Sequence, residues 1–172
     1  LGELHDCIAG FDDHLFAVSG VSGGSVGATV YRNVTGGISS PPACADRDSG
    51  APLSGARACS QEVLEGDFLG PAVAALLYPD IFQRFIPGVW LPDRAKGLEE
   101  SWEVAYEQVM NDDRLSRSLV RLNELDGRPW PALFLNATWS ETGRRIIASN
   151  LQMSQQLFPL AVDQLDLLQR DL

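Results

Sequence analysis

Apolar residues recur at two different spacings along the chain, and the two spacings predict different elements. Between positions 93 and 110 they fall at every third or fourth residue, which predicts an amphipathic helix with one core-facing stripe. The stripe consists of Leu98, Trp102, Ala105 and Val109. Short apolar runs at 14–18 and 132–137, together with the segment 144–149, have the length of buried strands instead.

Weaker apolar patterns predict the remaining helices. They cover residues 1–11, 25–32, 113–122, 152–157 and 160–172. The segment 67–77 is so dense in apolar residues that we expect a buried helix, with Asp67 at its amino end and Pro79 stopping it. This order of elements predicts an α/β layered domain.

Residues 36–60 lack a periodic pattern and are rich in Gly, Pro, Ser and Ala, which predicts a long loop. Cys44 and Cys59 both lie within this segment and bracket a shorter loop, and a bridge between them is one alternative in an oxidising compartment. Three cysteines are not a disulfide framework, so the sequence leaves the pairing open. We expect residues 1–172 to form one partial domain, because the helical pattern is already under way at Leu1; the rest of a longer polypeptide would then be its partner.

The balance of charge narrows the classes of partner. The net charge is −10, from 13 basic and 23 acidic residues. Because binding to the phosphate backbone needs a positively charged surface, we expect no nucleic-acid partner. No stretch approaches the roughly 20 apolar residues of a membrane span, although contact with a membrane surface is compatible with the composition. The three cysteines and two histidines lack metal-ligand spacing, so neither a metal nor an organic cofactor is expected.

The segment Gly20-Val21-Ser22-Gly23-Gly24 fits G-x-S-x-G, the nucleophile elbow, and lies between a predicted strand and a predicted helix. Such a serine has a strained backbone, and we expect Gly20 and Gly24 to remove the collisions that side chains would make there. The Gly23 amide then points to where an oxyanion forms. The alternative is a plain Gly/Ser-rich turn, in which Ser19 and Ser25 are structural and Ser25 caps the helix.

The base that would activate Ser22 is not evident. His5 and His14 both precede it, so the Ser–Asp/Glu–His order of an α/β-hydrolase cannot be built from this chain. A phosphate-binding P-loop is also excluded, because Lys96 is the only lysine and lies elsewhere. The remaining chemistry is a Ser–Asp dyad, in which a carboxylate accepts the serine proton directly.

Residues 16–25 resemble the nucleophile elbow of patatin-like phospholipases, and are also close to that of cytosolic phospholipase A2. The segments 131–138 and 141–145 are similar to the sheet region of large bacterial patatin-like proteins. The resemblance implies a partial patatin-like α/β domain, with a central, mainly parallel sheet flanked by helices and a helix-rich insertion after the nucleophile elbow. It also implies a Ser–Asp dyad and hydrolysis of lipid acyl esters. The family aspartate lies in Asp-Gly-Gly or Asp-Gly-Ala, whereas Asp126-Gly127 continues as Arg128-Pro129 and predicts a turn.

We therefore expect the catalytic aspartate beyond Leu172 and a glycine-rich oxyanion loop before Leu1. The alternatives are a catalytically inactive module of the same fold and a non-lipid serine esterase or thioesterase. Arg144 and Arg145 are candidates for contact with a lipid phosphate, but a surface ion pair is the favoured role. Location is left open between the bacterial cytoplasm and association with a membrane.

Overall fold

A computed structural model describes most of the chain, which contains both helices and strands. The described residues are 1–36, 42–81, 85, 94–119, 131–154 and 156–170. Their helices are α1 (Gly2–Cys7), α2 (Gly23–Thr35), α3 (Ala56–Leu64), α4 (Leu69–Ala75), α5 (Arg94–Met110) and α6 (Gln164–Arg170). Their strands are β1 (Ala17–Val21), β2 (Ala43–Ala45), β3 (Pro52–Ser54), β4 (Ala132–Thr138), β5 (Arg145–Ser149) and β6 (Ala161–Asp163).

The main sheet has the strand order β1-β4-β5-β6. β1 pairs with β4 in parallel, β4 with β5 antiparallel, and β5 with β6 in parallel. The described chain is therefore an α/β structure with a mixed, mostly parallel sheet flanked by helices, and in these coarse terms the predicted fold class is confirmed. In the parallel pair, Val21 at the carboxyl end of β1 lies opposite Asn136 of β4.

The main apolar cluster lies between α2, α3 and α5. Its buried members are Val30, Val34, Cys59, Val63, Tyr106, Val109 and Met110. The predicted stripe of α5 is confirmed at Ala105 and Val109, which are buried, while Trp102 is half-buried. The Tyr106 hydroxyl donates a 2.9 Å hydrogen bond to the Asn33 carbonyl, which ties α5 to α2 inside this cluster.

The segment predicted as a long loop contains a small hairpin. β2 and β3 pair antiparallel, and α3 already begins at Ala56. The turn between the strands is held by Asp46, whose carboxylate accepts a 2.7 Å hydrogen bond from the Ser49 amide. A disulfide joins Cys44 on β2 to Cys59 on α3, so the pairing that the sequence left open is present. The hydrogen bond of Asp46 is a local side-chain–backbone contact, and such contacts leave no periodic pattern in the sequence from which the hairpin could be predicted.

The expected burial of residues 67–77 is wrong. This short helical segment packs mainly against α5, so much of its surface is left uncovered. Leu69 is 73% exposed and Leu77 is 51% exposed. Asp67 does accept a 2.9 Å hydrogen bond from the Gly70 amide at the start of α4. Pro79 does not stop the helix, which continues from α4 through a π-turn at Leu76–Asp80.

The carboxyl-terminal third differs from prediction at its end. β4 and β5 match the predicted strands to within one residue, but the predicted helix at 160–172 begins as strand β6. The cause is Asp163, whose carboxylate accepts hydrogen bonds from the Leu165 amide at 2.9 Å and the Met153 amide at 3.1 Å. These contacts start α6 only after β6.

Three further helix predictions are revised. The helix predicted at 113–122 is a single 3-10 turn, Arg114–Ser116, within the described residues, and the described part of 152–157 is not helical. The first helix is present as α1 but is shorter than the predicted span 1–11, and Leu1 and Leu4 are nearly half exposed. Position 93 of the predicted helix 93–110, positions 120–122 of the predicted helix 113–122 and the predicted turn at Asp126-Gly127 lie outside the described residues.

Candidate active site

Ser22 is the single residue between the end of β1 at Val21 and the start of α2 at Gly23. Its backbone has φ 52° and ψ −126°, in the left-handed half of conformational space that residues with a side chain rarely adopt. Its side chain is exposed at the carboxyl end of a strand that is paired in parallel. A strained serine between a strand and a helix is the geometry that a nucleophile elbow requires.

Gly20 is required by the close approach of β1 to α2. A Cβ atom at this position would lie 2.6 Å from both the Gly24 carbonyl oxygen and the Ser25 amide nitrogen. The same test at Gly24 finds no heavy atom within 4 Å, so the expectation that Gly24 also relieves a collision is wrong. The crowding involves the backbone of Gly24, whereas the position of its missing side chain faces open space.

The amino end of α2 supplies hydrogen-bond donors beside Ser22. Gly23 is the first residue of this 13-residue helix, and the first amides of a helix have no acceptor within it. The Ser22 carbonyl accepts a 2.9 Å hydrogen bond from the Ser25 amide, which closes the first turn. The free Gly23 amide and the positive end of the helix dipole can therefore stabilise an oxyanion next to Ser22.

The expectation that Ser25 caps α2 is wrong. The N-cap position is Ser22, and no side-chain hydrogen bond caps the helix there. Ser25 is the third residue of α2, and its buried hydroxyl has no hydrogen-bond partner among the described residues. Its carbonyl oxygen accepts a 2.9 Å hydrogen bond from the Thr29 hydroxyl, which is ordinary helix packing.

Both histidines lie at the opposite end of β1 from Ser22. His5 Nδ1 is 2.7 Å from an Asp12 carboxylate oxygen, and His14 Nδ1 is 2.9 Å from the Gly10 carbonyl oxygen. β1 has five residues, so it separates the two ends by about 17 Å. In the part of the chain that the structure describes, no side chain is hydrogen-bonded to the Ser22 hydroxyl. Among the same residues, no group of three or more His, Cys, Asp or Glu residues could hold a metal ion.

A cavity of about 840 Å³ also lies at the amino end of β1, away from Ser22. Phe16, Tyr31 and Leu133 are among its lining residues. Tyr31 donates a 2.7 Å hydrogen bond to Asp12, and burial together with that carboxylate raises the pKa of Tyr31 above its ordinary value. The cavity is therefore separate from the end of β1 at which Ser22 lies.

Asn136 and Arg145 lie next to the elbow, although neither belongs to the serine motif. The Asn136 Nδ2 atom is 2.9 Å from both the Ser19 hydroxyl and the Gly20 carbonyl oxygen. The Arg145 Nε atom donates a 2.9 Å hydrogen bond to Asn136 Oδ1, and Arg145 Nη2 donates to the same oxygen. The surface ion pair that the sequence favoured for Arg145 is not found among the described residues. The contact between Asn136 and Arg145 follows from the register of β4 and β5, which the sequence alone does not give.

The serine motif and its two supporting side chains come from β1, α2, β4 and β5, so the site depends on the sheet as a whole. No helix in the described ranges has the length and apolar character needed to cross a bilayer. Comparison of the chain with protein-family models, with curated proteins and with solved structures finds no match in any of the three.

Proposed function

We propose that this chain is the nucleophile-bearing part of a patatin-like lipid acyl hydrolase, with Ser22 as the nucleophile. The observation that carries the proposal is the left-handed backbone of Ser22 between a parallel strand and a helix. Such strain costs of the order of 1–3 kcal/mol and persists where the surroundings enforce it, which is typical of active sites. A plain Gly/Ser-rich turn has no need of it.

The reaction follows from the groups at this end of the sheet. The Ser22 hydroxyl attacks the ester carbonyl while an aspartate from outside the described residues accepts its proton. The resulting oxyanion is stabilised by the Gly23 amide and the amino end of α2. Collapse of this intermediate expels the alcohol, which takes up the proton, and leaves an acyl-serine ester. Water activated by the same carboxylate then releases the fatty acid and restores Ser22.

Lipid is the proposed substrate because of the family resemblance and because apolar side chains are exposed elsewhere on the molecule. Leu69, Leu77 and Tyr78, in α4 and the turn after it, are all at least half exposed. Apolar side chains clustered on one exposed segment suit contact with a lipid surface. No metal or organic cofactor has a role in the proposed reaction.

The test is labelling by a fluorophosphonate, which phosphonylates an activated serine. We expect labelling in a form extended at both ends, so that the proposed aspartate and glycine loop are present, and loss of labelling in Ser22→Ala. Ser25→Ala is the matched control, because Ser25 belongs to the same Gly/Ser-rich stretch but its hydroxyl is buried. Labelling that persists in Ser22→Ala, or none in the extended wild type, would contradict the proposal; the second outcome would favour the catalytically inactive module.

A further inference from the structure

One asparagine connects the elbow strand to its neighbour at the point where the serine turn begins. Asn136 lies directly opposite Val21 in the parallel pairing of β1 with β4. Its Nδ2 atom is 2.9 Å from the Gly20 carbonyl oxygen, 2.9 Å from the Ser19 hydroxyl and 3.1 Å from the Phe134 carbonyl oxygen. The amide therefore joins side-chain and backbone acceptors of both strands, in addition to the hydrogen bonds of the sheet itself.

Arg145 fixes the orientation of this amide. A guanidinium can only donate hydrogen bonds, so the group facing it must be the oxygen of Asn136. Arg145 Nε is 2.9 Å from Asn136 Oδ1, and Nη2 donates to the same atom. With the oxygen held there, the two hydrogens of the Asn136 amide must point towards Gly20 and its neighbours.

Gly20 is consequently held from two sides. On one side its carbonyl accepts a hydrogen bond from Asn136, and on the other it packs so closely on α2 that a Cβ atom would lie 2.6 Å from the Gly24 carbonyl oxygen. Ser22 follows two residues later with its φ of 52°. A strained backbone is retained only where the surrounding structure over-determines it, and the Asn136 amide is one such constraint.

We propose that Asn136 is a positioning residue for Ser22 and that Arg145 acts through Asn136. The two side chains hold the carboxyl end of β1 so that the serine hydroxyl stays in line with the Gly23 amide. The catalytic part of this proposal rests on the proposed function, whereas the positioning part concerns the backbone geometry alone. The guanidinium contributes by orienting a neutral amide, because no carboxylate contacts Arg145 within the described residues.

The chain offers a matched control at the other end of the same strand. Asn150 Oδ1 accepts a 2.8 Å hydrogen bond from the Leu133 amide, so it also connects a side-chain amide to β4. Leu133 is near the amino end of β4, whereas Asn136 is near the carboxyl end. Asn150→Ala therefore removes a comparable contact to the sheet without touching the elbow.

The experiment compares Asn136→Ala and Asn136→Asp with Asn150→Ala in the extended form of the chain. The first readout is hydrogen–deuterium exchange of the amides in residues 19–26, which we expect to become faster in both Asn136 variants and unchanged in Asn150→Ala. The second is inactivation by a fluorophosphonate. We expect the limiting rate of inactivation to fall roughly tenfold to a hundredfold, as misplaced groups do, while the concentration for half-saturation stays the same.

Asn136→Asp tests whether the hydrogen bonds that the Asn136 amide donates to Gly20, and not its contact with the charged Arg145, hold the elbow in position. It keeps an acceptor for Arg145 but loses the donors to Gly20, so it should resemble Asn136→Ala. Arg145→Ala should give a smaller change of the same kind, and Arg145→Lys, which keeps a donor for the Asn136 oxygen, should restore most of the rate. Because Arg145 is exposed, these two variants keep the test decisive if the Asn136 variants do not fold.

The two readouts distinguish failure of this inference from failure of the proposed function. Faster exchange at 19–26 with no labelling of the wild type would support the positioning role and contradict the hydrolase proposal. Unchanged exchange at 19–26 in the Asn136 variants, or in both Arg145 variants if the former do not fold, would overturn the positioning role whatever the activity. Equal effects of Asn136→Ala and Asn150→Ala would also overturn it, because they would indicate general loss of sheet stability.

Discussion

The carboxylate of Asp6 accepts a 2.7 Å hydrogen bond from the amide of Ala56, the first residue of α3, although the two residues are 50 positions apart. The other carboxylate oxygen accepts a 2.9 Å hydrogen bond from the Arg57 amide. Gly55 occupies the N-cap position with φ 105° and has no side chain to offer. The amino end of α3 is therefore capped by α1, a helix from a distant part of the sequence.

Asp6→Ala should lower the free energy of unfolding by about 1 kcal/mol, the usual contribution of a helix N-cap. The reason is that the two amides at the start of α3 lose their acceptors. Urea unfolding followed by circular dichroism measures the change, and Asp48→Ala, which removes an exposed carboxylate, is the control. Equal stability of Asp6→Ala and the wild type would show that water replaces the cap without cost.

Gly20→Ala should disrupt the elbow, while Gly24→Ala should be tolerated. The added methyl at Gly20 collides with α2 at 2.6 Å, but at Gly24 it meets no heavy atom within 4 Å. We expect Gly20→Ala to lower the melting temperature by several degrees and to abolish fluorophosphonate labelling. Gly24→Ala, in the first turn of a helix, should keep both. Loss of labelling in both variants alike would contradict this distinction.

Reduction of the disulfide between Cys44 and Cys59 should lower the free energy of unfolding by about 3 kcal/mol, the value expected when a loop of this size is released. The bridge spans 15 positions and anchors the β2–β3 hairpin to α3 within the main apolar cluster. Urea unfolding with and without a reductant measures the effect. Cys7→Ser should not alter it, because Cys7 is an exposed free thiol. Alkylation of all three cysteines in air-oxidised protein would refute the bridge.

Tyr106→Phe should destabilise the protein by about 1 kcal/mol, because the Asn33 carbonyl inside the cluster loses its hydrogen bond. Tyr78→Phe is the control, since Tyr78 is 67% exposed and its hydroxyl is not needed for packing. Chemical unfolding of both variants beside the wild type measures the difference. Destabilisation of the same size by Tyr78→Phe would contradict the assignment.

Because of Tyr106, we also expect the free energy of unfolding to fall at alkaline pH. Burial raises the pKa of Tyr106 above its ordinary value of about 10, so the folded state keeps the phenol proton to a higher pH than the unfolded state. Stability is therefore unaffected below about pH 10 and falls as the pH rises beyond it, because only the unfolded chain gains by ionising. Unfolding free energies measured between pH 8 and pH 11, roughly spanning that tyrosine pKa, should fall less steeply in Tyr106→Phe. An identical slope would contradict this.

The elements that could be predicted from the sequence are those with a local signal. The stripe of α5, the apolar runs of β4 and β5, and the glycine-flanked Ser22 each carry their pattern within a few residues. The hairpin and β6 were missed because Asp46 and Asp163 accept local hydrogen bonds from backbone amides, which leave no periodic pattern in the sequence. The exposure of α4 was missed because periodicity does not reveal whether a neighbouring element covers a helix.

The candidate site also has some features that the sequence predicts and others that it does not. Ser22, Gly20 and Gly23 follow from the motif, and the structure shows Ser22 between β1 and α2 and Gly20 packed against α2. The role of Gly24 was misjudged because the motif does not say which atoms make the close contact. The arrangement of Asn136 and Arg145 depends on the register of strands far apart in the sequence, which a single sequence does not contain.

The parallel pairing of β1 with β4 determines when the elbow can form during folding. Gly20 and Asn136 are 116 positions apart, so their contact closes a very long loop of chain. Closing such a loop costs conformational entropy before any contact repays it, which makes long-range parallel pairing a slow and late step. A ribosome must therefore have released β4 from its exit tunnel before the Asn136 contact can hold Gly20, two residues before the strained serine.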